Sequence, residues 1–450
     1  PRITFTNDPL KLLVLTQNRH QNRLDIYVAN PRSTECRLIV RDETEKYISE
    51  NVYKDFQTTP GGFVLMSERS GWNQLYLYDL NGTLKRQLTH GQHVVTDFYG
   101  YDSRLGMAYY ASNQEGPLYK AVYKTDIKGK TIKLSSQKGT NDAIFSNGLR
   151  YYMNVWSNLQ TPPVTTLCDA NGKTLGTLED NSELRSKLSG IALGERRIIS
   201  FKTQDGVQLN GLMVLPADFK ESRKYPVILF QYSGPGSQQV LDSWSAGNMG
   251  GMLYEQYLAQ QGFISLVVDG RGTGGRGRDF EQCTYLKLGQ LESHDQVEAA
   301  LYAASLPYVD GKHIGIWGWS YGGFCTLMSM SEGRPVFAAG VAVAAPTSWR
   351  YYDSVYTERF MRTPKENGEG YDVSAISRAD QLNGHLLLVH GLADDNVHFR
   401  NAAEYTEALV QADKDFRELT YTNRNHGIFG GNTRAHLFRQ ITNHFKQYLQ

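Results

Sequence analysis

The stretch that leaves the fewest folds open is Gly315-Ile316-Trp317-Gly318-Trp319-Ser320-Tyr321-Gly322-Gly323, where an apolar run meets a Gly-x-Ser-x-Gly and a helix-forming segment begins. A strand over Ile314 to Trp317, a turn over Gly318 to Gly322 and a helix over Phe324 to Met330 together make a nucleophile elbow. Such an elbow holds its serine on strained backbone above a sheet edge, and it needs small residues on both sides so that strand and helix can approach. Gly318 and Gly322 meet that need. With 43 glycines in 450 residues, a chance Gly-x-Ser-x-Gly has a probability of roughly a few tenths. The flanking strand and helix therefore carry the reading.

Upstream, from Pro1 to about Asp180, the chain is a series of short alternating runs broken by turns. Examples are Leu12 to Leu15, Gly62 to Met66, Gln74 to Leu80, Gly106 to Tyr110 and Tyr151 to Val155. Turns fall at Asp79 to Gly82, Tyr99 to Asp102 and Asn113 to Gly116. Short aromatic and β-branched strands at this spacing predict an all-β region. The units recur loosely at about 45 residues, each a Tyr-rich strand, a turn and a basic strand, which points to β-propeller blades, with a β-sandwich as the alternative. Asn81-Gly82-Thr83 reads as a turn before it reads as a glycan site, because Asn-Gly favours hairpins.

The composition changes between Leu184 and Arg197, and a boundary is placed near residue 190, giving a propeller part over 1–190 and a second domain over 191–450. Beyond it strands and helices alternate. Strands are expected at Tyr225 to Tyr232, Phe263 to Asp269, Ala338 to Ala345, Leu386 to His390 and Glu418 to Thr422. Helices are expected at Gly251 to Gly262, Leu291 to Leu306, Phe399 to Asp413 and Thr433 to Leu449. Solidly apolar strands in this alternation predict a mostly parallel, doubly wound sheet, and an elbow on such a sheet predicts the α/β-hydrolase fold. The fold class is thus an all-β partial β-propeller followed by an α/β-hydrolase domain.

Bulk composition narrows the function. The 47 basic and 46 acidic residues are spread along the chain, for a net charge of +1, which argues against nucleic acid or an anionic membrane as partner. The longest apolar run, Val336 to Ala345, is about half of the roughly 20 residues a membrane helix needs, and reads as a buried strand. Four scattered cysteines form no Cys-x-x-Cys, and His90 and His93 lie in a turn without ligand partners, so no metal is inferred. Gly270 to Gly275 matches Gly-x-Gly-x-x-Gly after a strand, but Arg276-Gly277-Arg278 prolongs the loop where a helix should start, so no nucleotide cofactor is inferred. The chain opens on Pro1 without a signal segment and is expected to be a fragment or a processed product.

A serine hydroxyl becomes a good nucleophile when an imidazole takes its proton, and the imidazole needs a carboxylate on its other nitrogen. Of the eleven histidines, His385, His390, His398 and His426 follow the elbow and are read as clear of element interiors. His426 sits in a polar loop between the last strand and the last helix, where this fold places its base. Asp394 and Asp395, in the loop after Leu386 to His390, are the candidate acids.

At these motifs the chain resembles the dipeptidyl peptidase IV branch of the prolyl oligopeptidase family of serine peptidases. The resemblance rests on Tyr232-Ser233-Gly234-Pro235-Gly236-Ser237-Gln238, Asp269-Gly270-Arg271-Gly272, Gly318 to Gly323, Tyr351 to Arg359, His390 to Phe399 and His426-Gly427. It covers roughly residues 195 to 450, with the β-rich part resembling the family propeller more diffusely. It implies Ser320 as nucleophile, Asp394 as the acid, His426 as base, and the Tyr232 hydroxyl with the Tyr321 amide as oxyanion hole. Trp349, Tyr352, Tyr356, Tyr321 and Val397 would box a proline ring, although Tyr352 and Tyr356 on spacing alone are as readily a core stripe. Asn396 would donate to a substrate carbonyl.

The implied activity is release of amino-terminal Xaa-Pro dipeptides, and Xaa-Ala more weakly, from a peptide substrate with penultimate proline. The alternatives are a tripeptidyl or acylaminoacyl peptidase of related build, or a propeller-type binding module with a silent hydrolase. A homodimer and an extracytoplasmic setting are implied by the likeness alone. Members of this branch hold the substrate ammonium with two adjacent glutamates, and no two consecutive glutamates occur in this sequence. About four blades can be read, so the chain is expected to begin inside the propeller, downstream of that anchor.

Overall fold

The computed structural model describes residues 1–247 and 253–450, in two compact units: Pro1–Lys187 with Leu241–Trp244 and Gly274–Gln282, and Leu188–Val240 with Ser245–Thr273 and Cys283–Gln450.

In the first unit, four antiparallel four-stranded sheets follow one another at residues 2–43, 57–87, 95–133 and 140–179, each with strands in sequence order. The alternation of side chains along a strand explains how they stack. Phe63, Leu65, Tyr76 and Tyr78 of the second sheet pack with Leu13, Leu24 and Ile26 of the first. Their sequence neighbours Val64, Met66, Leu75 and Leu77 face the other way, onto Ala108, Tyr110 and Tyr123 of the third. Tyr109 and Val122 then pack with Tyr152 and Cys168 of the fourth. A sandwich would bury two sheets against each other and leave their outer faces wet, whereas here the middle sheets are apolar on both faces. These are propeller blades.

A finer repeat appears in the turns. Asp79 accepts from the amides of Asn81 and Thr83, Asp126 from Lys128 and Lys130, and Asp169 from Asn171 and Lys173. The glycine three residues after each aspartate, Gly82, Gly129 or Gly172, has φ near 90° (88°, 90° and 86°). Asp-x-x-Gly is therefore the signature joining the third and fourth strands of the second, third and fourth blades, with the carboxylate closing the turn and glycine supplying the left-handed residue.

The second unit is built on one eight-stranded sheet: β1 Arg196–Lys202, β2 Gln208–Val214, β3 Tyr225–Phe230, β4 Ile264–Asp269, β5 Val309–Trp319, β6 Ala339–Val343, β7 His385–Gly391 and β8 Phe416–Tyr421. Their order is β1-β2-β4-β3-β5-β6-β7-β8. β1 and β2 are antiparallel, β2 meets β4 antiparallel, and every later pairing is parallel. The principal helices are α1 Tyr254–Gln260, α2 Gln290–Ser305, α3 Tyr321–Met330, α4 Ser354–Met361, α5 Arg400–Gln411 and α6 Thr433–Leu449. β4 and β6 are buried throughout, as strands covered on both faces must be. This is the α/β-hydrolase fold.

The expected elements of this unit are present with ends shifted by a few residues. The first two residues of the helix expected from Gly251 lie outside the described residues. His385 and His390 were read as clear of element interiors, but both belong to β7. Solvent-facing His385 opens the strand, while His390 is wholly buried. The Gly270 to Gly275 stretch is a structural loop: Thr273 turns back onto the Gly270 carbonyl, and Arg271 is clamped by Asp295. Among the described residues no helix is long and apolar enough to cross a membrane, and no group of histidine, cysteine and acidic side chains is arranged to hold a metal ion.

Several carboxyls are buried where charge is expensive. Burial pushes Glu255 and Glu292 up to about 7 and Asp269 to about 6, and it raises Glu68 and Glu281 as well. A carboxyl whose folded pKa exceeds its unfolded one favours the fold fully below the unfolded value and loses that contribution as pH rises through the folded one. His444, lowered to about 4 by burial, acts at the acid end instead. The melting temperature should therefore fall between pH 6.5 and pH 9. A flat or rising profile over that interval, followed by circular dichroism, would show that these carboxyls are not held protonated.

Candidate active site

Ser320 stands at the junction of β5 and α3 with φ 58° and ψ −120°, a strained conformation for a residue with a Cβ. Its amide donates to the Val343 carbonyl on β6 at 2.8 Å, which holds the strained residue against the neighbouring strand. The glycines on either side are required by contact. A Cβ on Gly322 would lie 2.4 Å from the Gln231 carbonyl oxygen, and one on Gly318 would lie 2.3 Å from the Gly322 carbonyl oxygen. Strand, turn and helix can close only because both are bare.

Gln231 ties the neighbouring loop to this turn. Its side-chain amide donates to the Gly322 carbonyl at 2.5 Å and to the Thr326 hydroxyl at 3.2 Å, and its Oε1 accepts from the Ser233 hydroxyl at 2.8 Å. Tyr232, between these two, is thereby fixed beside the elbow, with its ring centroid 6.2 Å from that of Tyr321. Burial raises the Tyr232 phenol above its ordinary value, so it is a protonated donor at neutral pH. Sequence reasoning passed over Gln231, although it immediately precedes the tyrosine motif.

Asp394 lies in the loop after β7 and organises it. Oδ1 accepts from the amides of Asn396 at 3.0 Å and Val397 at 2.9 Å, while Oδ2 meets His426 Nδ1 at 2.8 Å. The buried His390 ring comes within 3.4 Å of the same Oδ2 and bonds the Val397 carbonyl through Nε2 at 2.8 Å. Burial alone would raise this carboxyl, but the hydrogen bonds from His390 and His426 outweigh it and hold Asp394 below the usual carboxylate range. An ionised Asp394 requires the His426 proton on Nδ1, which leaves Nε2 with its lone pair. Asp395 lies exposed in the same loop. His426 itself is held by its backbone: its carbonyl accepts from Trp319 Nε1 at 3.0 Å, and Trp319 is the residue before Ser320. Arg434 covers the Trp319 ring at 4.9 Å.

The aromatic residues meet as a cluster on this unit. Trp349 lies 5.3 Å from Tyr321, 5.9 Å edge-on to Tyr352 and 6.0 Å from Tyr356, and Tyr352 meets Tyr356 edge-on at 5.4 Å. Tyr352 sits just after a short 3-10 turn and Tyr356 inside α4, so they converge from two elements where one helical stripe was an open reading. The Tyr352 hydroxyl donates to Asn396 Oδ1 at 2.7 Å, which leaves the donating half of that amide for another partner. Val397 is fully buried.

A model described as "Prolyl oligopeptidase family" matches residues 252–450, and one for the dipeptidyl peptidase IV N-terminal region matches residues 1–163. The chain belongs to the prolyl oligopeptidase family, in its dipeptidyl peptidase IV branch. Dipeptidyl peptidase 4 of Arthroderma otae is 32% identical over 443 residues, which cover 94% of this chain and 56% of the relative. That of Trichophyton equinum is 32% identical over 429 residues, covering 91% and 55%. The crystal structure of Porphyromonas gingivalis dipeptidyl peptidase 4 superposes with a TM-score of 0.96 at 47% identity, over 100% of this chain and 63% of that one. The chain thus spans about half of the length of the curated relatives it matches, 50% of the first and 59% of the second.

Because Asp394 and Asp395 differ so sharply in surroundings, their amides should differ too. Asp394→Asn cannot accept the Nδ1 proton in the same way and should cost roughly 10⁴ in kcat, with Asp395→Asn within about threefold of the parent. Steady-state kinetics on the two variants reads this, and equal losses or the reverse order would mean the wrong carboxylate has been assigned.

Proposed function

We propose that this chain carries the catalytic machinery of a serine exopeptidase that releases Xaa-Pro dipeptides, and Xaa-Ala dipeptides more slowly, from the amino end of peptides. The observation that carries the proposal is the 2.8 Å bond between His426 Nδ1 and Asp394 Oδ2, on a loop pinned through Trp319 to the strained Ser320 turn. An elbow serine, a carboxylate and an imidazole in that chain order are what acyl transfer on this fold requires. The names of the relatives point to the same reaction.

In this reading Ser320 Oγ attacks the carbonyl carbon of the proline residue itself, and its proton passes to His426 Nε2. Asp394 keeps the imidazole in the correct tautomer and stabilises the cation that forms. The carbonyl oxygen becomes an oxyanion and accepts from the Tyr232 hydroxyl and the Tyr321 amide. Collapse breaks the C–N bond, His426 returns the proton to the departing amine, and water then hydrolyses the acyl-enzyme by the same steps in reverse.

Trp349, Tyr352, Tyr356, Tyr321 and Val397 would supply flat apolar walls for a proline ring, and Asn396 would donate to a substrate carbonyl. Alanine leaves part of such a box empty, and missing methylenes cost about 1 to 3 kcal/mol, hence the weaker Xaa-Ala activity. The family likeness carries with it a homodimer and an extracytoplasmic setting.

Two outcomes test the proposal. Ser320→Ala should leave only the residual of roughly 10³ to 10⁴ over the uncatalysed rate that binding and the oxyanion donors still give, and mass spectrometry of the products from a peptide with proline at positions two and three should show a dipeptide first. Full activity in the variant, or a tripeptide as the first product, would overturn it. Tyr232→Phe should lower kcat by about 10² to 10³ with little change in KM. A change confined to KM would place this hydroxyl in substrate binding instead.

A further inference from the structure

Beneath the aromatic cluster lies an acidic residue that the proposed reaction does not use. Glu292 is completely buried in the first turn of α2, three residues beyond the N-cap Gly289. One carboxyl oxygen, Oε2, accepts from the Gly289 amide at 2.9 Å, an ordinary capping role. The other, Oε1, accepts from the Tyr321 hydroxyl at 2.7 Å. Capping explains the first contact but not the second. Burying a carboxyl at the N-terminus of one helix to reach a phenol that opens another is costly unless the phenol has to be held.

Tyr321 is the residue whose position matters most here. It follows Ser320, it opens α3, and its amide is one of the two proposed oxyanion donors. Its ring faces Trp349 at 5.3 Å, Tyr232 at 6.2 Å and, edge-on, Phe324 at 5.7 Å. Apolar contacts of this kind fix a ring's plane loosely, whereas a hydrogen bond at the tip of the ring fixes the lever that sets the Cα and the amide. Gly289 brings the base of that lever close: a Cβ there would stand 2.5 Å from the Phe324 ring, so α2 and α3 are packed as tightly as their side chains allow. The same bond explains how the carboxyl is accommodated. Burial pushes Glu292 up to about 7, against the lowering effect of the Tyr321 hydroxyl.

We propose that Glu292 is a positioning residue for the oxyanion hole, holding Tyr321 from outside the substrate pocket so that its amide points at the developing oxyanion and its ring walls the proline box. This rests on the peptidase reading for the role of the amide. The contact itself joins the first turns of α2 and α3, so it locks the elbow helix to the helix that follows the Gly270 to Gly275 loop.

A double-mutant cycle on the full chain separates this role from capping. Glu292→Leu removes both hydrogen bonds, but loss of the Gly289 cap is common to the parent and Tyr321→Phe backgrounds and cancels between them. In the parent, Glu292→Leu should lower kcat on Gly-Pro-p-nitroanilide by about 10- to 100-fold, with a smaller change in KM. In Tyr321→Phe, where both partners are apolar, the same change should cost less than about threefold. Glu292→Gln, which keeps an acceptor, should stay within about fivefold of the parent.

The rate at which a fluorophosphonate modifies Ser320 should follow the same pattern, since it needs the nucleophile and the oxyanion donors but no peptide recognition. A parent that is labelled but does not cut the Gly-Pro substrate refutes the peptide reading, and the labelling rates then decide the present proposal alone. Equal losses in the two backgrounds, or an effect in KM only, would reduce Glu292 to a helix cap and overturn it. Should Glu292→Leu not fold, Tyr321→Phe decides: it must reproduce the loss in kcat, and an unchanged kcat overturns the proposal.

Discussion

The Asp394 carboxylate is the interaction on which the rest of the site depends. Its two oxygens divide the work: Oδ1 gathers the Asn396 and Val397 amides into a tight turn, and Oδ2 takes the His426 ring. The first task shapes the pocket, because Val397 belongs to the proposed box and Asn396 receives the Tyr352 hydroxyl. The second sets the proton position on the proposed base. One buried charge therefore shapes the loop of the proposed box and sets the tautomer of the proposed base. Charge-assisted hydrogen bonds are strong enough to keep it ionised despite desolvation.

The strain at Ser320 is sustained by a similar economy. Two glycines allow the backbone to fold onto itself, Gln231 braces the turn from one side, and Trp319 carries the His426 loop on the other. Gln231 and Trp319 are each adjacent to a proposed catalytic residue, so those residues are held in part through their neighbours' side chains. This is how a constellation is held within the fraction of an ångström that acyl transfer needs.

Much of this was legible in the sequence, for physical reasons that differ by element. The parallel sheet could be read because strands covered on both faces are largely apolar and buried throughout, as Ile264–Asp269 and Ala339–Val343 are. The elbow could be read because backbone crowding admits only glycine at 318 and 322. The blades were harder: a strand buried on both faces, such as Gly62–Ser67, has no exposed alternation to reveal its period, and the Asp-x-x-Gly turn that recurs in three blades was not read as a repeat. His390 was misjudged because a histidine in a strand looks like one in a loop until its burial is known. Choosing between Asp394 and Asp395 required the family likeness, since two adjacent carboxylates differ only in the direction their side chains take. Glu292 and Gln231 carried too little local signal to be found, because what matters in each is a contact with a residue 29 or 91 positions away.

In the proposed reaction Ser320 is made nucleophilic by His426. Mass spectrometry of the intact chain and its peptides after exposure to a fluorophosphonate tests this most directly. One adduct per chain, confined to Ser320 and formed orders of magnitude more slowly in His426→Gln, is the predicted result. An adduct on another residue, or labelling of Ser320 at the parent rate without the imidazole, would contradict it.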